Sequence, residues 1–450
     1  MNTLIKKYNV PVPRYTSYPT VPHWNTEEFG KEKWITALQK SFKESNQKEG
    51  ISLYIHLPFC ESMCTFCACH KHITKRHDVE EDYISSVIKE WELYCELFDE
   101  KPLIKEIHLG GGTPTFFAPK QLQRLIICLL SKAGLHEDYE FSFEGHPNNT
   151  TEEHLKTLNN LGFTRVSFGV QDYSLKVQKA INRIQPFEKV KEVTELAREI
   201  GYTSISHDLV FGLPFQNIDD VVYTIRKTKE LAPDRISFYS YAHVPWIKGV
   251  GQRGFEEKDL PKNGTKRALY EEGKWLLEKQ GYKEVGMDHF ALETDELYKS
   301  LEDGSLHRNF MGYTARKTQV MIGLGMSAIS DSFNAFAQNV KTVKEYQTLV
   351  NNGQLPVFRG HIHSEEDLKR RQIILDLMCQ SRTNLQNLGN LNDFNYIMLE
   401  ALFEDNILSI DGDDLVLTQT GKPFIRNVCV AFDEYLKTEQ QTERKFSYSI

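Results

Sequence analysis

Six short β-like runs recur between residues 51 and 241, at 51–57, 104–109, 139–144, 165–170, 204–211 and 235–241. Most are followed by a segment with apolar residues at helical spacing: 79–98, 119–133, 151–161, 188–200 and 219–231. A helix between two strands carries the chain back across the sheet, so successive strands run parallel. Six such units in succession predict an α/β fold built on a full or partial (β/α) barrel. In that fold the chemistry lies at the C-terminal ends of the strands.

The polar and glycine-rich features fall at those ends. The first run leads into Cys60-Glu61-Ser62-Met63-Cys64-Thr65-Phe66-Cys67-Ala68-Cys69-His70. Gly110-Gly111-Gly112-Thr113-Pro114 follows the second run, and Glu144 ends the third. Gln171-Asp172 follows the fourth, Asp208 lies in the fifth, and Ala242-His243 follows the sixth.

Three thiolates spaced as Cys60, Cys64 and Cys67 can hold three irons of a four-iron cluster and leave the fourth open to a small molecule. A zinc knuckle completed by His70 or His72 is the alternative, although no second C-x-x-C pair exists. A disulfide would need an oxidising compartment, which nothing in the sequence suggests. Cys95, Cys128, Cys379 and Cys429 sit in apolar surroundings and read as buried small hydrophobes.

The glycine run is not a phosphate-binding Walker loop, because no Gly-Lys-Ser/Thr follows. It is either a tight turn or a place where exposed backbone groups meet the ends of an amino acid. Glu144 and Asp208 lie on strands that a barrel buries, where a carboxylate needs a partner. They read as contacts to ribose hydroxyls or an ammonium, or as internal salt bridges. Arg183 offers a charge-assisted contact to a carboxylate, or a surface ion pair. Segments 286–290 and 307–313 mix charge with aromatics, as a pocket for a flat acidic ligand or as loop packing.

A length of 450 residues allows two or three domains. A formal net charge of −8 argues against a nucleic-acid coat. The first residues lack a signal-peptide core, and no apolar run approaches the roughly 18 residues that span a bilayer. A cytoplasmic monomer with no membrane or nucleic-acid partner is expected. We divide the chain into an N-terminal arm and lead-in helix (1–45), a barrel with extension (46–355) and a mostly helical C-terminal domain (356–450). Within the arm, 9–24 is rich in proline and tyrosine and reads as extended, either a plain surface arm or a flap over the barrel mouth. The last domain reads as helices at 365–379 and 394–404, a hairpin at 407–418 and a helix at 421–436. This is a winged-helix-like arrangement, but its wing tip, Asp411-Gly412-Asp413-Asp414, would repel phosphate.

Cys60-x3-Cys64-x2-Cys67 with Phe66, and Gly111-Gly112-Thr113-Pro114, resemble the signature and methionine-binding motif of the radical SAM superfamily, whose members use S-adenosylmethionine (SAM). A finer resemblance, over nearly the whole chain, is to the oxygen-independent coproporphyrinogen III dehydrogenase family. It runs through Pro13–Thr20, Tyr54–Cys60, Gly169–Asp172, Gly286–Ala291, His307–Thr314, Gly325–Ser330 and Arg426–Cys429. The resemblance implies a partial (β/α)6 radical-SAM barrel and a [4Fe-4S] cluster on Cys60, Cys64 and Cys67, with Cys69 not a ligand. It also implies two SAM molecules. Tyr54, Gly111, Glu144 and Ile329 would contact the SAM on the cluster; Phe66, Gly112, Thr113, Gln171, Arg183, Asp208 and Ala242 would surround the second. The implied reaction is oxidative decarboxylation of two propionates of coproporphyrinogen III to vinyl groups, giving protoporphyrinogen IX. Electrons would come from a low-potential donor such as flavodoxin or ferredoxin. Arg14, His307 and Arg308 are the expected propionate contacts. A haem chaperone of the same superfamily is the rival reading; it would carry phenylalanine at the place of Cys69 and lack the Pro-Arg-Tyr-Thr-Ser-Tyr-Pro arm. This chain also departs from the family's usual pattern in having Gly145-His146 where Val-Asp is common.

Overall fold

The computed structural model describes residues 2–25, 29–247, 251–389, 391, 393–437 and 446–449. Six parallel strands form the barrel wall in chain order: Ile51–Leu57, Leu103–Gly111, Gly134–Gly145, Phe163–Gln171, Ser204–Phe211 and Arg235–Ser240. The first strand, Ile-Ser-Leu-Tyr-Ile-His-Leu, is buried at every residue. A parallel sheet covered on both faces demands that. The intervening helices show why they lie outside. In Pro119–Ser131, Leu122, Leu125, Ile126 and Leu129 are buried at the spacing of one helix face.

The wall is longer than six strands. Val320–Leu324 pairs parallel with the first strand, in register from Ile51 against Val320. Antiparallel strands Ile329–Asp331, Ala335–Asn339 and Val357–Ile362 extend that edge, and His289–Ala291 and Lys283–Val285 extend the other. The result is a twelve-stranded sheet. Helix Lys31–Glu49 buries Trp34, Leu38 and Phe42 in the same core.

The C-terminal region has helices Glu365–Gln380 and Tyr396–Glu404 and a hairpin of Leu408–Asp411 with Asp414–Leu417, joined by Arg382–Asn384 into three strands. The expected single helix over 421–436 is instead broken. Ile425–Val430 is one short helix and Glu434–Lys437 another. Asp433 accepts the backbone N–H groups of Tyr435 and Leu436, so a new turn starts there.

The N-terminal arm is extended at its proline-rich part and is not free. Ile5, Tyr8, Tyr15 and Tyr18 belong to the apolar core of the C-terminal region. The Tyr15 hydroxyl donates to Asp433 at 3.0 Å, and the Arg426 guanidinium donates to the Pro13 carbonyl at 2.9 Å. Of the scattered cysteines, Cys379 and Cys429 are buried, while Cys95 and Cys128 are partly buried.

Candidate active site

Beyond the first barrel strand, Phe59–Cys60 pairs with His72–Ile73 and closes the base of the cysteine loop. Phe59 anchors it, packed edge-on against Tyr83 and close to Phe116 and Phe117. Within the loop the Cys67 N–H bonds the Cys64 carbonyl at 3.3 Å. The Thr65 N–H and hydroxyl reach the carbonyls of Ile181 and Ala180, both at 2.9 Å. These ties turn Cys60, Cys64, Cys67 and Cys69 onto the wall of one cavity of about 480 Å³. None of them is in a disulfide.

The glycine-rich turn is stitched to this loop. The N–H of Gly112 donates to the Leu57 carbonyl at 2.8 Å, and that of Thr113 to the Phe59 carbonyl at 3.0 Å. The Thr113 hydroxyl donates to Cys60 Sγ at 3.3 Å. A side chain at 112 has no room: a Cβ there would lie 2.5 Å from the Pro58 carbonyl carbon. Gly111 has φ +113°, and its Cβ would lie 2.7 Å from the His56 ring. The glycines are thus what brings the turn against the cysteine strand.

Positive charge faces the sulfurs. Arg183 donates to the Gly169 carbonyl at 2.6 Å and reaches Cys64 Sγ at 3.6 Å. A hydrogen bond from Cys69, helped by Lys71 and Arg183, pushes the Cys67 thiol down to about 6, against the upward pull of burial. The same contact pushes Cys69 up. Burial pushes Cys60 up to about 11, although the Thr113 hydroxyl opposes it.

Two carboxylates share the cavity and differ in character. Glu144 feels burial, but His108 and the Gly111 N–H outweigh it and hold the carboxyl below the usual range. The Glu144 side chain is 46% exposed, on the wall of the cavity it lines. The Gly111 N–H lies 3.3 Å from one Glu144 oxygen, and His108 Nε2 lies 3.5 Å from the other. Burial, and then the Glu144 charge, push Asp208 up to about 6, against the hydroxyls of Ser167 and Ser237.

The donor set suits a multi-iron cluster. Three thiols stand around one cavity, free of disulfides, with Thr113 and Arg183 aimed at two of the sulfurs. Among the described residues no three His, Cys, Asp or Glu side chains, these cysteines included, converge closely enough to hold a single metal ion.

The structure brings most of the sequence candidates together. Phe66, Gly111, Gly112, Thr113, Glu144, Gln171, Arg183 and Asp208 all line the cavity with the cysteines. Tyr54 lies behind Glu144. Its hydroxyl is 3.0 Å from His56 Nδ1, and its ring stacks on His108. Ile329 is outside the lining, but its backbone abuts Gly323, which pairs with Tyr54. Ala242 is also outside it. Gln252 links it to the site by donating to the carbonyls of Ala242 (2.7 Å) and Phe66 (3.3 Å).

The expected propionate contacts stand apart from this cavity. Arg14 lines a second one and lies 3.4 Å from Asp288. His307 pairs with Thr314 in a short hairpin, and burial pushes its ring down to about 4. Arg308 is buried, stacks on Tyr313 and donates to the carbonyls of Arg14 and Tyr15, both at 3.4 Å. In this conformation it holds the arm. Sequence reasoning missed His108, whose Nδ1 is 2.8 Å from Ser142 Oγ. A signal existed: His108 follows Glu106 by two, so it shares a strand face with a buried polar residue. Gln252 has no such signal, because it acts from a long loop.

The radical SAM superfamily model matches residues 54–228. The oxygen-independent coproporphyrinogen III oxidase of Helicobacter pylori strain J99 is 38% identical over 442 residues, covering 96% of each chain. The protein of that name from Escherichia coli K12 is 35% identical over 449 residues, covering 98% of this chain and 96% of its own. The solved structure of coproporphyrinogen III oxidase from Escherichia coli, described as a radical SAM enzyme, superposes with a TM-score of 0.88 at 34% identity. That match covers 97% of this chain and 99% of the other. With the cysteine and glycine motifs on one cavity, this chain belongs to the oxygen-independent coproporphyrinogen III oxidase family of the radical SAM superfamily.

Proposed function

We propose that this chain oxidises coproporphyrinogen III without oxygen, converting two propionate side chains to vinyl groups with loss of carbon dioxide and giving protoporphyrinogen IX. The observation that carries this reading is the cavity where Cys60, Cys64 and Cys67 meet the Gly111–Thr113 turn, in a chain that matches relatives named for that reaction along nearly its full length.

Cys60, Cys64 and Cys67 would hold a [4Fe-4S] cluster, which when bound supplies the electron for reductive cleavage of SAM to methionine and a carbon radical. Around it, the chain's own groups bind and orient. The Gly111 backbone and Glu144 would hold the amino-acid end of the SAM on the cluster, with Tyr54 and Ile329 beside it. Phe66, Gly112, Thr113, Gln171, Arg183, Asp208 and Ala242 would surround a second SAM. Asp208, which burial pushes up to about 6, would accept from ribose hydroxyls, and Arg183 would face a carboxylate. Gly145-His146 sits on the cavity wall and would shape how the methionyl amine is held. The barrel wall around the cavity would limit the contact of a reactive species with water. Arg14, His307 and Arg308 would serve propionates once the arm rearranges.

This reading brings a low-potential flavodoxin- or ferredoxin-like donor, a cytoplasmic setting and a monomer. It assigns arm, barrel and C-terminal domain to 1–45, 46–355 and 356–450. No helix among the described residues is long and apolar enough to cross a membrane. The test is product analysis by mass spectrometry on anaerobically reconstituted protein given dithionite, SAM and coproporphyrinogen III. Protoporphyrinogen IX with 5′-deoxyadenosine is expected. Haem binding or SAM cleavage without decarboxylation would move the chain to the chaperone class.

A further inference from the structure

A third cavity, of about 700 Å³ and distinct from the one that Arg14 lines, opens where the arm and the C-terminal segment 447–448 meet the start of helix Asn263–Lys279. Lys6, Lys258, Lys262 and Lys266 line it, and Glu257 is the one acid on its wall. That is a formal excess of three positive charges in a chain whose net charge is −8. Lys258 is paired with Glu256 at 2.7 Å. Lys266 has no acidic partner among the described residues. Its ammonium donates to the Tyr241 carbonyl at 3.2 Å.

The surroundings hold Lys266 in place without balancing its charge. Its stem lies over Gly212, where a Cβ would be 3.0 Å from the Lys266 Cε, so the lack of a side chain at 212 makes its berth. Gly212 is fixed in turn by its N–H bond to the Gln216 side chain at 2.7 Å. Arg426 is spent on backbone carbonyls of the arm and the C-terminal segment. Burial, and then the cations of Arg14 and Arg426, push the Lys266 ammonium down to about 7. An anion arriving here would gain a charge-assisted hydrogen bond and relieve that repulsion.

The cavity shares the barrel rim with the cysteine loop. Gly212 follows the fifth strand and Tyr241 the sixth. Tyr241 belongs to an apolar cluster with Val210 and Leu213, and Phe66 of the cysteine loop packs on that cluster. A tetrapyrrole with four carboxylates, reacting over the cysteines, would carry its remote acids outward along the rim, where this lysine-lined cavity opens.

We infer that Lys266 is a carboxylate-binding residue at the barrel rim, taking a propionate of the tetrapyrrole substrate remote from the reacting carbon. The inference rests on the reaction proposed above.

The experiment is a fluorescence titration of the cluster-loaded protein with coproporphyrin III, the stable oxidised form of the substrate, and with its tetramethyl ester. Lys266→Met should weaken coproporphyrin III binding about 10-fold and leave ester binding unchanged; this is the size of one charge-assisted hydrogen bond, about 1.4 kcal/mol. Lys266→Arg should recover most of the affinity. Iron content and SAM cleavage without substrate should be unchanged in both variants. Equal affinity in Lys266→Met, equal loss for the ester, or a loss that arginine does not recover would overturn the inference. If the unaltered protein binds no coproporphyrin III, the proposed reaction itself fails, and the inference falls with it.

Discussion

Gly112→Ala isolates what the glycine turn does for the cysteines. The added Cβ would lie 2.5 Å from both the carbonyl carbon and oxygen of Pro58 and 3.0 Å from the Leu57 oxygen. Ordinary carbon contacts begin near 3.5 Å, so the turn must retreat by about 1 Å. The obstacle is backbone, held between the buried strand that ends at Leu57 and the Phe59–Cys60 strand, and it has little freedom to yield. Retreat stretches the bonds from Gly112 to Leu57 and from Thr113 to Phe59, now 2.8 and 3.0 Å, and the Thr113 bond to Cys60. Overpacking costs about 1–3 kcal/mol. Two weakened backbone bonds add roughly 1 kcal/mol each. The sum is about 3–5 kcal/mol, borne where Cys60 is anchored. We expect the variant to fold, with wild-type far-ultraviolet dichroism. Its iron content after anaerobic reconstitution should fall at least by half, and SAM binding should weaken at least 10-fold. Full iron content with unchanged SAM affinity would refute the claim that this close approach seats the cysteine loop.

Three further outcomes are expected. Glu90 is fully buried and accepts from the Gly325 N–H, the Asn339 amide and the Tyr346 hydroxyl, each at 2.7 Å, so Glu90→Ala should cost about 3–5 kcal/mol in urea unfolding, and a loss under 1 kcal/mol would contradict it. Burial raises Asp172 to about 7, against its bond from Gln216, so its folded pKa lies above its unfolded one and favours stability at low pH; the stability of the wild type relative to Asp172→Asn should fall as pH rises from about 4 through 7, and a flat difference would sink this. Arg183→Met should keep the cluster yet lose most product formation, because its contacts to Gly169 and Cys64 leave the rest of the cysteine loop's ties intact; unchanged turnover would remove Arg183 from the site.

Much of the barrel was legible because its signal is local. The expected runs 51–57 and 204–211 coincide with the strands, marked by the buried Ile51, Leu53, Ile55 and Leu57 and by Ile205, Leu209, Val210 and Phe211. The third strand starts at Gly134, five residues earlier than expected, because Glu137 and Asp138 are exposed there and carry no apolar pattern. The seventh parallel strand, Val320–Leu324, escaped notice. It is five residues long, and its parallel partner is the first strand, far back in the chain. The helix at 421–436 was overextended because apolar spacing says nothing about Asp433 capping a fresh turn. In the site, the cysteines and glycines announce themselves by spacing. The anchoring of the arm does not. Tyr15 meets Asp433 across 418 residues, and only the fold makes them neighbours. The same holds for Arg308, whose charge suggested a ligand contact and whose position shows it holding the arm.

The most direct test of the account is iron content and the electron paramagnetic resonance of the reduced protein, with and without SAM, in single alanine variants of Cys60, Cys64, Cys67 and Cys69. Loss of the cluster signal in the first three variants, and its retention with a SAM-dependent change in Cys69→Ala, is the predicted result. A cluster that survives loss of any of the first three, or that depends on Cys69, would contradict it.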